Sequence, residues 1–256
     1  MQIYVCVKHV PDSAASITII DDTGIDKNIT FLLNPFDEHA LTEAVKIRDR
    51  IGTSEVIAIC LGSKDAQTTL QSALAMGADR GILIQSGENH DSIFTAKALK
   101  IAIDQDGAAD LILTGKESID AEGMQTMFRL GALFDFPVAN NIVKLDIEDG
   151  YAIVDHERAG GIINTYKMPL PCVIGAGKSL NIPKYPTFRD VVQARKKVIK
   201  TIALTDLNIK KPSASMKITK LESLQQTREA KEIKGTAVQA AEQIVQILKQ
   251  EAKVIS

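Results

Sequence analysis

The chain has 256 residues, 45% hydrophobic and 24% charged, with a formal net charge of −2; this is ordinary globular composition and excludes a disordered chain. Near-neutral charge, 4% aromatics and no Trp leave neither the field nor the stacking surface that nucleic acid requires. Three cysteines, Cys6, Cys60 and Cys172, with no CxxC exclude a disulfide framework or zinc site and read as small buried hydrophobes in a reducing cytoplasm.

Met1 leads into an apolar run with no basic stretch before it, so no secretory signal is expected. No apolar run nears the ~20 residues of a membrane span, so direct insertion is not expected either. Continuous apolar runs predict strands over 2–8, 55–61, 81–85, 110–114 and 171–176. They lack period-2 alternation, as parallel strands covered on both faces do. Between them, helical periodicity predicts helices over 38–51, 64–76, 91–104 and 123–135. Gly77 after Met76 is a helix stop, and Asp65 stands at the start of the second helix. This alternation gives an α/β fold with a mostly parallel, doubly wound sheet.

Two regions depart from the alternation. Residues 16–31, with Asp21-Asp22-Thr23-Gly24 at the centre, predict an inserted hairpin. Residues 141–168, split by Asp149-Gly150 and Gly160-Gly161, predict antiparallel strands at the sheet edge. Residues 1–203 are therefore expected to form the α/β domain. Residues 204–234 are polar and aperiodic, and Thr236–Ile255 carries an amphipathic helical pattern through Val238, Ala241, Ile244, Val245, Leu248 and Ala252. A structureless stretch of this length is unusual inside a compact domain, so 204–256 is expected to be an arm and helix that embrace a partner, the alternative being a surface excursion that returns to the core.

Several catalytic patterns fail. Gly175-Ala-Gly-Lys-Ser179 resembles the end of a phosphate-binding loop, but Cys172 replaces the first glycine, and Pro183 and Pro186 forbid the helix that must come next. The four histidines are scattered, no G-x-S-x-G occurs, and no carboxylate spacing singles out an acid/base pair. No catalytic residue or metal ligand is assigned.

What remains is a set of strand ends. The run Leu111–Leu113 stops at Gly115, and a polar loop with Lys116, Glu117, Ser118, Asp120 and Glu122 leads to a helix start near Gln125. Ligands of open α/β sheets sit beyond the carboxyl ends of strands, and free N–H groups at a helix start suit phosphate. The ends at Cys6-Val7-Lys8 and Leu61-Gly62, and the turn Asn34-Pro35-Phe36-Asp37 before the first long helix, outline the same crevice; Asp37 is the expected N-cap.

Val7-Lys8, Asn34-Pro35-Phe36-Asp37-Glu38, Ala73-Leu-Ala-Met-Gly-Ala-Asp-Arg80, Gly115-Lys-Glu-Ser-Ile-Asp120, Leu180-Asn181-x-Pro183-x-Tyr185 and the basic Ala194–Lys197 stand at mutual distances that resemble the beta subunit of electron transfer flavoprotein. The resemblance covers essentially the whole chain. It implies a heterodimer with an alpha subunit that holds most of the FAD, with AMP bound in the beta subunit. The residues it assigns to cofactor are Cys6, Asn34, Pro35, Phe36, Asp37, Leu61, Gly115, Lys116, Glu117, Ser118, Ile119, Asp120, Ala121, Glu122, Gly123, Met124, Gln125 and Thr126. It also implies electron delivery from acyl-CoA dehydrogenase-type flavoenzymes, as in fatty acid oxidation, to a membrane quinone oxidoreductase, without catalytic groups of its own. The family's recognition loop matches the region after Tyr185, with Phe188 at the position of its leucine; on the residues alone, Tyr185–Phe188 reads as a packed loop.

Electron-bifurcating relatives bind a second FAD, and NAD(H), with an Asp-Gly-Asp-Thr-Ala-Gln-Val-Gly-Pro type run in the nucleotide loop. This chain has Asp120-Ala-Glu-Gly-Met-Gln-Thr-Met127 instead, with Met127 where many non-bifurcating members have glycine. The resemblance thus favours AMP, with a second FAD as the alternative. A stand-alone nucleotide-binding module of the stress-response type is the rival from another class.

Overall fold

In a computed structural model, the structure describes residues 1–88, 90–209, 218–223 and 232–255. They fall into two units, Met1–Thr219 and Lys220–Ser256.

The first unit is built on a nine-stranded sheet. In chain order its opening elements are β1 (Gln2–Cys6), β2 (His9–Pro11), β3 (Ile19–Ile20), β4 (Gly24–Ile25), β5 (Phe31–Leu33), α1 (Pro35–Ile51) and β6 (Glu55–Gly62). A 3-10 turn (Lys64–Ala66) leads into α2 (Gln67–Met76), followed by β7 (Arg80–Gln85), α3 (Ser92–Asp106), β8 (Leu111–Gly115) and α4 (Thr126–Phe134). The later elements are β9 (Val138–Glu148), β10 (Tyr151–Arg158), β11 (Ile162–Pro169), β12 (Cys172–Ala176), α5 (Phe188–Ala194) and β13 (Ile199–Ala203). The strand order is β11-β10-β9-β12-β8-β1-β6-β7-β13. From β9 to β13 in that order every pairing is parallel, and β9, β10 and β11 form the antiparallel extension.

The continuous apolar runs result from burial on both faces. Ile3, Val5, Ala58, Leu111, Leu113 and Ile174 face one core with α1 and α2. Tyr4, Ile57, Ile59, Ile82, Ile84 and Ile112 face the other with α3 and α4. Each such Val, Leu or Ile side chain contributes about 1.5–3 kcal/mol of transfer free energy, so the register of the central strands is strongly specified. At the amino ends of β1, β6 and β7, the Arg80 guanidinium bonds Glu55 at 3.0 and 3.2 Å and Asp106 at 3.0 and 2.7 Å, and the Tyr4 hydroxyl donates to Asp106 at 2.8 Å. The Arg80 of the Ala73–Arg80 motif is therefore a structural clasp.

Three expectations are corrected. The first helix begins at Pro35, and Asn34, not Asp37, occupies its cap position without a side-chain cap bond. Proline fits the first helical position because the N–H it lacks would have no acceptor there, and the Asp37 carboxylate is engaged by other elements. The predicted strand 2–8 ends at Cys6, and His9–Pro11 pairs instead with Phe31–Leu33 in a separate ribbon, apart from the small 19–25 hairpin. Finally, the segment at Tyr185–Phe188 is not packed: Tyr185 is 77% exposed, and Phe188, at the start of α5, is 85% exposed.

In the second unit, α6 (Ala237–Gln246) opens with a reciprocal Thr236–Gln239 capping box and continues as a π-type turn over Ile247–Glu251. No residue of either is buried, and the apolar stripe through Val238, Ile244 and Val245 is exposed. Residues 210–217 and 224–231 of the expected arm lie outside the described residues. Among the described residues, no helix is long and apolar enough to cross a membrane.

Candidate functional site

The strand order places β1 at the centre, with β6 and β7 on one side and β8 and β12 on the other. The chain leaves β1 for α1 and β6, and reaches β8 only after returning across the sheet. The carboxyl ends of β1 and β8 are therefore the topological switch point, where open sheets have their crevice.

Two side chains of the Asn34–Asp37 turn lock those strand ends together. Asp37 Oδ1 accepts from the Gly115 N–H at 3.0 Å and from Asn34 Nδ2 at 2.9 Å, and Oδ2 accepts from the Lys8 N–H at 2.8 Å. Asn34 reaches the loop after β8: Nδ2 donates to the Glu117 carbonyl at 2.9 Å, and Oδ1 accepts from the Ile119 N–H at 3.2 Å. Both side chains are buried. Burial pushes the Asp37 carboxyl up to about 7, against the downward pull of its donors and of the Lys8 charge.

Gly115 is obligatory for a packing reason. An added Cβ would stand 2.6 Å from Phe36 Cβ, 2.8 Å from the Phe36 carbonyl carbon and 2.5 Å from Asp37 Oδ1. The α1 N-terminus thus rests directly on the end of β8. The loop is also tied by charge: Lys8 Nζ bonds both carboxylate oxygens of Asp120 at 2.7 Å and the Ser118 hydroxyl at 3.2 Å. Lys116 Nζ lies 3.2 Å from Glu117 and 5.2 Å over the Phe36 ring. The loop's acidic groups Asp120 and Glu117 are neutralised locally, which lowers the cost of bringing an anion nearby.

Beyond Asp120 the loop is open. Ala121 through Gln125 are exposed, Glu122 and Met124 sit at φ of 48° and 49°, and a Cβ on Gly123 would touch nothing nearer than 4.0 Å. Non-glycine residues at positive φ are uncommon and concentrate at ligand sites. α4 then starts with no side-chain cap at Gln125. The N–H groups of Thr126, Met127 and Phe128 have no acceptor within the helix, and their dipole favours an anion.

Of the residues expected at the crevice, Asn34, Asp37, Gly115, Glu117, Ser118, Ile119 and Asp120 are brought together by direct bonds or contact. Asp37 faces inward as scaffold. Cys6 and Leu61 lie on the same face of the sheet, at or near the ends of β1 and β6. Burial holds the Cys6 thiol far above the usual range, so it is an apolar surface. Pro35 and Phe36 form the first turn of α1, and Ala121 through Thr126 form the open lip. Tyr185 and Phe188 belong to a separate surface beside α5, which packs on α2. Lys8, placed at the crevice by the sequence only as the end of a central strand, proves to be the charged partner of Asp120.

Next to the loop lies an open cleft of about 400 Å³ lined by Lys116, Met124, Phe128, Asn140, His156 and Arg158, among others. Met127, by contrast, is 2% exposed and packs into the core. Its sulfur approaches Gly175, where a Cβ would meet it at 2.5 Å. The bulk of Met127 therefore fills the space under α4 and leaves the lip of the loop clear. Among the described residues, no group of three His, Cys, Asp or Glu is placed to hold a metal ion.

The family model described as "Electron transfer flavoprotein domain" matches residues 24–207. The chain belongs to the electron transfer flavoprotein family, among its beta subunits. It is 33% identical over 254 residues to the electron transfer flavoprotein subunit beta of Dictyostelium discoideum, covering 98% of both chains. It is 35% identical to the mitochondrial beta subunit of Arabidopsis thaliana and 30% identical to the beta subunit of Bacillus subtilis strain 168, covering 100% of each. The Asn34–Asp37 turn and the loop after β8 are the two segments that the switch point joins in this chain.

Proposed function

We propose that this chain is the beta subunit of a heterodimeric electron transfer flavoprotein and holds AMP at the β1/β8 crevice. The observation that carries the reading is the uncapped start of α4 at the switch point, behind an exposed loop whose acidic groups Asp120 and Glu117 are paired with Lys8 and Lys116. The chemistry fits a nucleoside monophosphate. The first-turn N–H groups of α4 would take the phosphate, and Cys6, Leu61 and the Asn34–Asp37 turn would form the apolar and backbone wall for the base.

FAD, held mostly by the alpha subunit, would supply the redox chemistry when bound. This chain's residues bind, orient and exclude. Phe36, beneath Lys116, would approach the flavin edge from this side. The exposed stripe of α6 would pack on the alpha subunit as the end of the C-terminal arm, with 1–203 as the nucleotide-binding domain. Tyr185 and Phe188 would anchor an acyl-CoA dehydrogenase-type flavoenzyme as electron donor, and a membrane quinone oxidoreductase would be the acceptor. The protein would work in the cytoplasm.

The test is to purify the chain with its alpha subunit and mix the complex with an acyl-CoA dehydrogenase and its substrate. Rapid bleaching of the complex's flavin supports the reading; a flavin that stays oxidised with every such donor sinks it. A second reading, a further FAD in place of AMP with NAD(H) as partner, draws on the cleft beside Lys116, Met124 and Phe128, which has room and an aromatic wall for a second ring system.

A further inference from the structure

Asn181 is held to α1 by both ends of its amide and by its backbone. Nδ2 donates to the His39 carbonyl at 2.9 Å and to Glu43 Oε2 at 2.8 Å. His39 Nδ1 lies 3.0 Å from the Asn181 carbonyl oxygen and 3.2 Å from its Oδ1, so this ring nitrogen carries the proton and donates. His39 and Glu43 are one turn apart on α1 and both are buried. Buried polar groups of this kind are costly unless bonded, so the arrangement is selective for asparagine: one side chain supplies both the donor that Glu43 needs and the acceptor that faces His39.

The chain immediately after Asn181 projects into solvent. Ile182 is 89% exposed, Tyr185 77% and Phe188 85%. The intervening stretch has no helix or strand, and Pro183 and Pro186 lack N–H groups. No hydrogen bond joins residues 182–186 to another described residue. Among the described residues, hydrogen bonds thus hold the segment at its two ends: the Asn181 clamp before it, and the Thr187–Asp190 capping box that starts α5 after it.

We propose that Asn181 is a positioning residue for docking: by clamping to His39 and Glu43 it holds the Ile182–Phe188 projection in one arrangement for an apolar socket on the partner flavoenzyme. The proposal rests on the reading of Tyr185 and Phe188 as a dehydrogenase anchor. A segment already ordered loses less conformational entropy on association, so the clamp acts on affinity rather than on electron transfer within the docked complex.

The test uses the full chain in complex with its alpha subunit. Asn181→Asp sets a carboxylate against Glu43 and removes both donated bonds; adding Glu43→Gln returns a donor opposite that carboxylate. The rate of limited tryptic cleavage after Lys184, followed by mass spectrometry, is measured together with KM and kcat for reduction of the complex by an acyl-CoA dehydrogenase. Asn181→Asp is expected to speed that cleavage and raise KM about tenfold with kcat changed less than about twofold, and Glu43→Gln is expected to restore most of both. Unchanged cleavage and unchanged KM in Asn181→Asp overturn the proposal, as does a loss confined to kcat. Should Asn181→Asp fail to fold, Asn181→Ala is read in the same way. If even the wild-type complex is not reduced by any dehydrogenase, the docking reading fails by itself, and the cleavage data still decide whether Asn181 orders the projection.

Discussion

Gly115→Ala is the sharpest test of how the crevice is built. The new Cβ would lie 2.6 Å from Phe36 Cβ and 2.8 Å from the Phe36 carbonyl carbon, atoms that no rotamer change can move. Reaching an ordinary carbon contact near 3.5 Å requires the start of α1 to retreat by about 0.9 Å. That retreat stretches the 3.0 Å bond from the Gly115 N–H to Asp37 beyond useful range. Overpacking costs about 1–3 kcal/mol, and losing a bond to a charged acceptor about 1.5–3 kcal/mol. Some relaxation is shared between them, so the expected loss is about 3–5 kcal/mol, a large part of the roughly 5–15 kcal/mol typical of a folded domain. Urea unfolding at pH 8, where Asp37 is ionised, measures it, with nucleotide content determined on the same sample. A loss below about 1 kcal/mol with full nucleotide content would refute the claim that α1 and β8 meet through this glycine.

Other expectations arise from the same geometry. With Asp37 raised to about 7 in the fold against 3.8 unfolded, the folded state binds the extra proton between those values. Its contribution to stability is therefore fully present below about pH 4 and falls as pH rises to about 7, by at most about 1.4 kcal/mol per unit; unfolding midpoints across that range should show a slope that Asp37→Asn removes. Replacing Arg80 by Met leaves the Asp106 carboxylate, whose side chain is 8% exposed, with only the Tyr4 hydroxyl and the more distant Lys200 ammonium among the described residues, and should cost about 2–3 kcal/mol in thermal or urea unfolding, discounted for the exposure of Glu55. Phe188→Ala should weaken dehydrogenase docking by about tenfold or more while leaving the heterodimer and its nucleotide intact; binding titrations that show no change would remove Phe188 from the docking surface.

The parallel core was legible because its strands are covered on both faces and so read as unbroken apolar runs. α5 and β13 were not. Phe188, Arg189, Val191, Val192 and Gln193 of α5 are exposed, so no apolar period marks the helix, and β13 is an edge strand with Ile202 as its buried residue. The start of α1 was misread by three residues because Asp37 carries the chemistry of a cap but spends it on Lys8 and Gly115, 29 and 78 positions away. The pairing of Lys8 was not legible for the same reason, since its partner Asp120 is 112 residues distant. Met127 could be placed only in three dimensions, where it proved to fill the core beneath α4 instead of standing at the loop.

The central claim is the identity of the ligand at the β1/β8 crevice. Denaturing the purified heterodimer and quantifying the released nucleotides by chromatography and mass spectrometry tests it directly. The account predicts one AMP and one FAD per heterodimer. Two FAD and no AMP, or no adenine nucleotide beyond the alpha subunit's FAD, would contradict it.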